Sequence, residues 1–321
     1  MSEFALIEKY CTNLGVSHDN TVLSVGDDAA IISLPSSYDL VVSVDSIVEG
    51  THFLKGLAPE LIAHKLLAVN LSDMAAMGAK PRWLTLATCM PRFDEDWVAR
   101  FTSTINQVAS RFDVEVIGGD TTEGPRSFTA NIMGLLPTGK ALTRNGAKPG
   151  DKLYCSGTLG DAALALTRLL GEQDLPDDIF KDTLPSLHVP EPRVKLGQRL
   201  LGLVTACIDL SDGLVGDAVH LSNRSGVTVE VETSKIPLSD AYKKYMSSGG
   251  FLRYALAGGD DYELLFTAAE ERETELMAVG NELGISITQI GQISARSEDP
   301  VVTLHDGVPT NLKLKPFQHF F

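Results

Sequence analysis

Six short acidic blocks, each marked by glycine, serine or asparagine, constrain the fold of this chain more than any other feature. They are Gly26-Asp27-Asp28, Ser43-Val44-Asp45, Asn70-Leu71-Ser72-Asp73, Gly118-Gly119-Asp120, Asp209-Leu210-Ser211-Asp212-Gly213 and Gly258-Gly259-Asp260-Asp261. Asp45, Asp120 and Asp209 each follow a short apolar run, which places them at strand ends, where α/β sheets build their ligand sites. Asp73 falls on a helix with Ile62, Leu66 and Val69, all within about 40° of it, so a carboxylate lies on an apolar stripe. Clustered carboxylates repel and raise one another's pKa unless a cation lies between them. Hard divalent ions such as Mg²⁺ take oxygen ligands, usually a few carboxylates plus substrate phosphates. The pattern therefore calls for several metal ions and a polyphosphate.

A length of 321 residues exceeds what one core usually serves, so two domains are expected. The densest turn cluster, Asn145 to Asp151, divides the chain into residues 1–148 and 149–321. In the first part, strands are expected over 21–34, 40–48, 83–90, 114–118 and 127–136, with helices over 59–77 and 95–112. In the second, strands fall near 152–156, 204–209, 227–232, 262–267, 286–293 and 300–304. Helices are expected to residue 171 and over 192–203, 212–224 and 269–283, with a connection and one short helix over 172–192. Strands and helices alternate in both halves, so the fold class is α/β or α+β. The net charge of −15 argues against nucleic acid and anionic membrane surfaces as partners. Four scattered cysteines, no basic-then-apolar leader and no apolar run of about 18 residues point to the cytosol.

Several familiar devices are absent. An EF-hand counted from Asp209 needs a glutamate at its last position, where His220 stands. No G-x-x-x-x-G-K-[ST], strand-borne G-x-G-x-x-G or kinase signature occurs. Gly118-Gly119-Asp120-Thr121-Thr122 offers amides and hydroxyls of the kind that cradle phosphate, although alone it reads as a glycine turn. His52, near Asp45 and Glu49, is a candidate ligand contact, and Arg144 in the turn cluster is a candidate phosphate clamp.

Taken in order, these blocks resemble the thiamine-monophosphate kinase family. That family belongs to the ATP-using superfamily of aminoimidazole ribonucleotide synthetase, selenophosphate synthetase and the hydrogenase-maturation dehydratase. The resemblance also rests on Val48-Glu49-Gly50-Thr51-His52-Phe53, on Leu142 to Asp151 and on Gly258 to Leu264, and it runs from Phe4 to His319. It implies a two-domain synthetase-like fold. Its N-terminal sheet domain binds ATP and Mg²⁺ and forms a homodimer by closing a barrel. Its C-terminal α/β domain lays its tail over the acceptor site. The implied reaction is ATP-dependent, in-line phosphorylation of thiamine monophosphate to thiamine diphosphate, with several Mg²⁺ ions and no side-chain general base.

By matching positions, the metal ligands are expected to be Asp28, Ser43, Val44 (through its carbonyl), Asp45, Asp73, Asp120, Asp209 and Asp212. Gly119, Asp120, Arg144 and Ser211 are expected at the nucleotide, and His52, Glu263 and Phe317 at the thiamine phosphate. Val44 stands where threonine is common, and Phe317 where tyrosine or tryptophan is usual. Two alternatives stay open on the residues alone: another ATP-dependent synthetase of the superfamily, or a non-catalytic protein that binds metal or nucleotide.

Overall fold

Alternation of side chains along Tyr38–Val48 sends Val41, Ser43, Asp45 and Ile47 to one face and Tyr38, Leu40, Val42 and Val44 to the other. That strand is β3 of the first of two units into which the computed structural model divides, Met1–Met74 with Ala79–Gly139. The structure describes residues 7–25 and 29–310. The unit also contains β1 (Thr21–Leu23), β2 (Ile31–Ile32), α1 (Pro59–Ala76), β4 (Lys80–Met90), α2 (Glu95–Arg111), β5 (Glu115–Glu123) and β6 (Ser127–Pro137). Four strands form one sheet in the order β3-β6-β4-β5, antiparallel except for the parallel β4–β5 pair.

The helices cover one sheet face. Asp94 caps α2 by accepting a hydrogen bond from the Trp97 amide at 3.1 Å. Trp97 and Phe101 then stack at 5.1 Å, and Phe101 stacks on Phe128 of β6 at 4.9 Å. Helix α1 opens with Pro59, whose missing N–H costs nothing in a first turn. The sequence pattern suggested an apolar stripe on this helix, but α1 is buried nearly all round. Ile62, Ala63, Leu66, Leu67, Ala68, Leu71 and Met74 are all hidden, while Asp73 is only half-buried. Lys65, Asn70 and Ser72 are buried as well, so its burial is not confined to one apolar stripe.

The second unit, Ala75–Gly78 with Lys140–Phe321, holds a seven-stranded sheet. Its strands are β7 (Lys152–Ser156), β8 (Ala206–Asp209), β9 (Val227–Glu232), β10 (Leu264–Ala268), β11 (Ile287–Ala295), β12 (Val301–His305) and β13 (Val308–Thr310). Their order is β13-β12-β9-β11-β7-β10-β8, with only β12–β9 parallel. The central strands are buried on both faces. Leu265 pairs with Cys155 and Ile208 on one side of the pleat, and Phe266 pairs with Tyr154 and Cys207 on the other. The helices are α3 (Asp161–Leu169), α4 (Asp177–His188), α5 (Val194–Arg199), α6 (Leu214–Ser225), α7 (Asp240–Ser247), α8 (Arg253–Ala257) and α9 (Glu273–Leu283). The fold is thus mixed α/β in both units.

Three expectations are corrected. The segment 21–34 is two short strands that pair antiparallel, not one long strand. The connection over 172–192 contains α4, a full helix of twelve residues. Two further helices, α7 and α8, occupy a stretch where none was expected.

Candidate active site

In the first unit, α1 brings its polar residues against β3. Ser43 donates to the Asp73 carboxylate at 2.5 Å, and the Asp45 amide donates to Asn70 Oδ1 at 3.2 Å. Asn70 is fixed in turn by donating to the Leu66 carbonyl at 2.8 Å. Ser43, Asp45 and Asp73 therefore gather at one spot, oriented by an asparagine that the sequence motif contained but assigned no role. The Val44 side chain points to the opposite, exposed face, so only its backbone carbonyl is available there.

Asp45 and Asp120 lie inside β3 and β5 rather than at strand ends as expected, and Asp120 lies elsewhere on the sheet. The register aligns Asp45 with Ala130, Leu86 and Gly119, three strand spacings of ~4.8 Å away. Asp120 is one residue further, in the row of Ala87, Thr129 and Ser46, and so faces the open side. Thr121 returns to the helix side, where Thr88 donates to its hydroxyl at 3.1 Å. Gly119 is held by close approach: a Cβ there would lie 2.0 Å from the Leu86 carbonyl oxygen. Beside it, Leu86, Met90, Trp97, Phe101 and Val116 line an apolar hollow. His52 lies in the turn after β3, its Nδ1 accepting from the Val48 amide at 3.0 Å and its carbonyl accepting from the buried Lys65 ammonium at 3.1 Å.

In the second unit, two acidic blocks run side by side. The Leu210 amide donates to the Glu263 carbonyl and the Tyr262 amide to the Leu210 carbonyl, both at 2.8 Å, while the Asp260 amide donates to the Ser211 carbonyl at 2.9 Å. Gly213 follows at φ 101°, where a Cβ would lie 2.8 Å from the Ala257 backbone. Asp209 is buried at the end of β8, and Asp217 on α6 accepts from the Asp212 amide at 3.1 Å. Burial, then the charges of Asp209 and Asp212, push the Asp217 carboxyl up to about 8, while the Asp212 amide and Arg144 pull the other way. Arg144 is exposed, and its charge reaches Asp217 of this cluster.

Glu263 is committed inside the protein. Its carboxylate accepts a two-pronged Arg193 guanidinium, at 2.7 Å for Nε, and the Ser156 hydroxyl at 2.5 Å. Arg193 lies seventy positions away in sequence, so its Pro192-Arg193 setting gave no signal. Asp261 holds the turn into α3 by accepting from the Gly160 amide at 2.8 Å, and burial raises its carboxyl well above the usual range. Asp260 and Tyr262 flank it at positive φ, and the Tyr262 hydroxyl donates to Asp260 at 2.8 Å. Asp28 and Phe317 lie outside the described residues.

Among the described residues no three histidine, cysteine or acidic side chains form a ready metal cage. The donor chemistry fits a hard divalent cation, because the gathered groups are all oxygens and such an ion completes its shell with water and substrate oxygens. Burial raises the Asp217 carboxyl most, and the Asp209 and Asp212 charges add to it; a cation would offset that second part.

Comparison with known proteins bears on both units. Residues 26–136 match the model of the AIR synthase related protein, N-terminal domain, and residues 148–303 match that of its C-terminal domain. The thiamine-monophosphate kinase of Escherichia coli strain K12 is 42% identical over 319 residues, covering 99% of this chain and 98% of that protein. The crystal structure of thiamine-monophosphate kinase from Stenotrophomonas maltophilia K279a superposes with a TM-score of 0.85 at 37% identity, over 97% of this chain and 98% of that one. A structure of AaThiL complexed with AMPPCP and TMP superposes with a TM-score of 0.78 at 31% identity, over 92% of each chain. With both domain models matched in order and full-length relatives above 40% identity, the chain belongs to the thiamine-monophosphate kinases of the AIR synthase related family.

Proposed function

We propose that this protein transfers the γ-phosphoryl group of ATP to thiamine monophosphate, yielding thiamine diphosphate and ADP. The observation that carries this reading is the full-length likeness, at 31% identity, to a chain crystallised with an ATP analogue and TMP. The acceptor is a phosphate monoester whose second pKa is about 6, so an oxygen is already anionic at neutral pH and needs no base. That oxygen attacks the γ-phosphorus in line, and the bond to the β–γ bridging oxygen breaks, leaving its electron pair on ADP. The barrier is the approach of two anions, and the residues present are suited to lowering it.

Ser43, the Val44 carbonyl, Asp45 and Asp73 on the first unit, with Asp28 and Asp120, are the proposed ligands for Mg²⁺. Asp209 and Asp212 are their counterparts on the second. Bound Mg²⁺ supplies charge neutralisation of the phosphate oxygens and a template for in-line geometry. Asn70 and Asp217 hold these ligands in place through the Asp45 and Asp212 amides. Gly119 and Asp120 on the first unit, and Arg144 and Ser211 on the second, are the proposed nucleotide contacts. His52, Glu263 and Phe317 are the proposed acceptor contacts. Glu263 serves there as the anchor that aims Arg193, since its own carboxylate is already bonded on both oxygens.

The first unit is the proposed dimer contact. Supporting this, β3 is an edge strand of eleven residues whose outward face carries exposed Tyr38, Leu40, Val42 and Val44. The four cysteines are free thiols, as a reducing cytosol would keep them. Among the described residues no helix is long and apolar enough to cross a membrane. The deciding experiment mixes ATP, Mg²⁺ and thiamine monophosphate with the protein and follows ADP. Release that requires the acceptor upholds the kinase. ATP binding without turnover would favour a binding protein, and release only with another acceptor would favour a different synthetase.

A further inference from the structure

The first unit contains a hollow of about 400 Å³ between the Gly56 to Pro59 turn, the end of β4 and the start of α2, and Arg92, Arg100 and Arg126 line it. Three guanidiniums gather here beside one lining carboxylate, Asp94, while Glu60 and Glu49 pair with two of them from outside the lining, so Arg92 carries the charge that no ion pair among the described residues offsets. Asp94 is also engaged, capping α2 through the Trp97 amide. Two of the arginines are held in place. Arg100 makes a forked pair with Glu60 at 2.5 and 2.8 Å. Arg126 donates to Glu49 at 3.0 Å with its guanidinium 5.1 Å over the Trp97 ring. Its Nε is buried with no hydrogen-bond partner among the described residues, so its donor capacity is not filled. Arg92 is exposed.

Planar guanidinium forks match phosphate oxygens, and prior anchoring of two of them lowers the ordering cost on binding. The volume lies in the range of small-molecule sites. A hollow of this size in so acidic a chain does not suit a nucleic acid, which needs an extended basic stripe. We propose that this hollow is a metal-independent binding site for a small phosphate-bearing anion, separate from the carboxylate clusters that would work through metal ions.

The chain has two tryptophans, Trp83, which is fully buried, and Trp97, which lines the hollow, so fluorescence provides the readout. The full-length protein is titrated in EDTA with inorganic phosphate and, separately, with ribose 5-phosphate. A saturable emission change is expected, weakened about tenfold or more in Arg92→Ala and in Arg126→Gln, and unaltered in Asp73→Asn. Equal affinity for the two probes assigns the site to phosphate itself, whereas tighter ribose 5-phosphate binding assigns part of the hollow to an organic group; both uphold the proposal. Arg92 is exposed, so its variant folds and keeps the test decisive even if Arg126→Gln does not. The proposal is overturned by non-saturating titrations, by Arg92→Ala binding as tightly as the parent, or by loss of binding in Asp73→Asn.

Discussion

Glu263 shows what a buried charge demands of its neighbours. Its side chain is 6% exposed, and an uncompensated carboxylate there would be costly. The Arg193 fork and the Ser156 hydroxyl satisfy both oxygens. Removing one partner of such a pair typically costs about 3–5 kcal/mol, so Arg193→Ala should lower stability by that amount in urea unfolding. Arg193→Lys should recover only part of it, because an ammonium cannot span both oxygens. The expectation for Asp73 concerns activity. Ser43 donates to it at 2.5 Å, and asparagine is close to aspartate in size, so Asp73→Asn keeps the shape and removes a charge. Turnover with ATP and Mg²⁺ should fall about 100-fold or more with the unfolding midpoint little changed. Near-normal turnover would remove Asp73 from the proposed metal ligands. The acidic blocks were legible in the sequence because carboxylates beside turn residues are chemically conspicuous. Arg193 was not, because nothing local distinguishes an arginine whose partner lies seventy positions away.

Elements differ in how plainly their residues announce them. Helix α2, expected over 95–112, is found at Glu95–Arg111, with Asp94 as its cap. Helix α4 was expected only as one short helix because Pro185 lies inside it, and a proline in a helix interior reads as a break. Helices α7 and α8 have eight and five residues, too few for an apolar period to stand out. Strand neighbours were also hidden. Local pattern does not reveal that β10 lies between β7 and β8, nor that Asp45 and Asp120 end up on opposite faces of one sheet. At the start of α3, Asp161 accepts from Ser239 at 2.7 Å, and burial pushes its carboxyl up to about 6. A raised acid stabilises the fold while protonated. The contribution is complete below the unfolded value near ~4 and is lost as pH rises through about 6, amounting to about 3 kcal/mol. Asp161→Asn stays neutral throughout, so its stability relative to the parent should improve by roughly that amount between about pH 4 and pH 7. Urea midpoints at the two pH values check this, and a constant difference would place the cause elsewhere.

At the scale of the whole molecule, the exposed face of β3 governs assembly. Val42 and Val44 are each more than half exposed on a long edge strand, which favours pairing with a second copy. Light scattering at micromolar concentration should give twice the 34.5 kDa of one chain, and Val42→Lys together with Val44→Lys should return it to 34.5 kDa. A parent that is already monomeric would rule out this face as the contact. The same strand also has a history during synthesis. Residues 38–48 leave the ribosome long before β6, their partner in the sheet, which begins at Ser127. At roughly 5–20 residues per second, the gap of about 80 residues leaves β3 unpaired for several seconds or longer. Throughout that interval its apolar side chains are available to whatever else is nearby. Soluble yield should therefore depend on the crowd of other nascent chains and on the chaperones that reach this segment first, a dependence set by the order in which the strands are made.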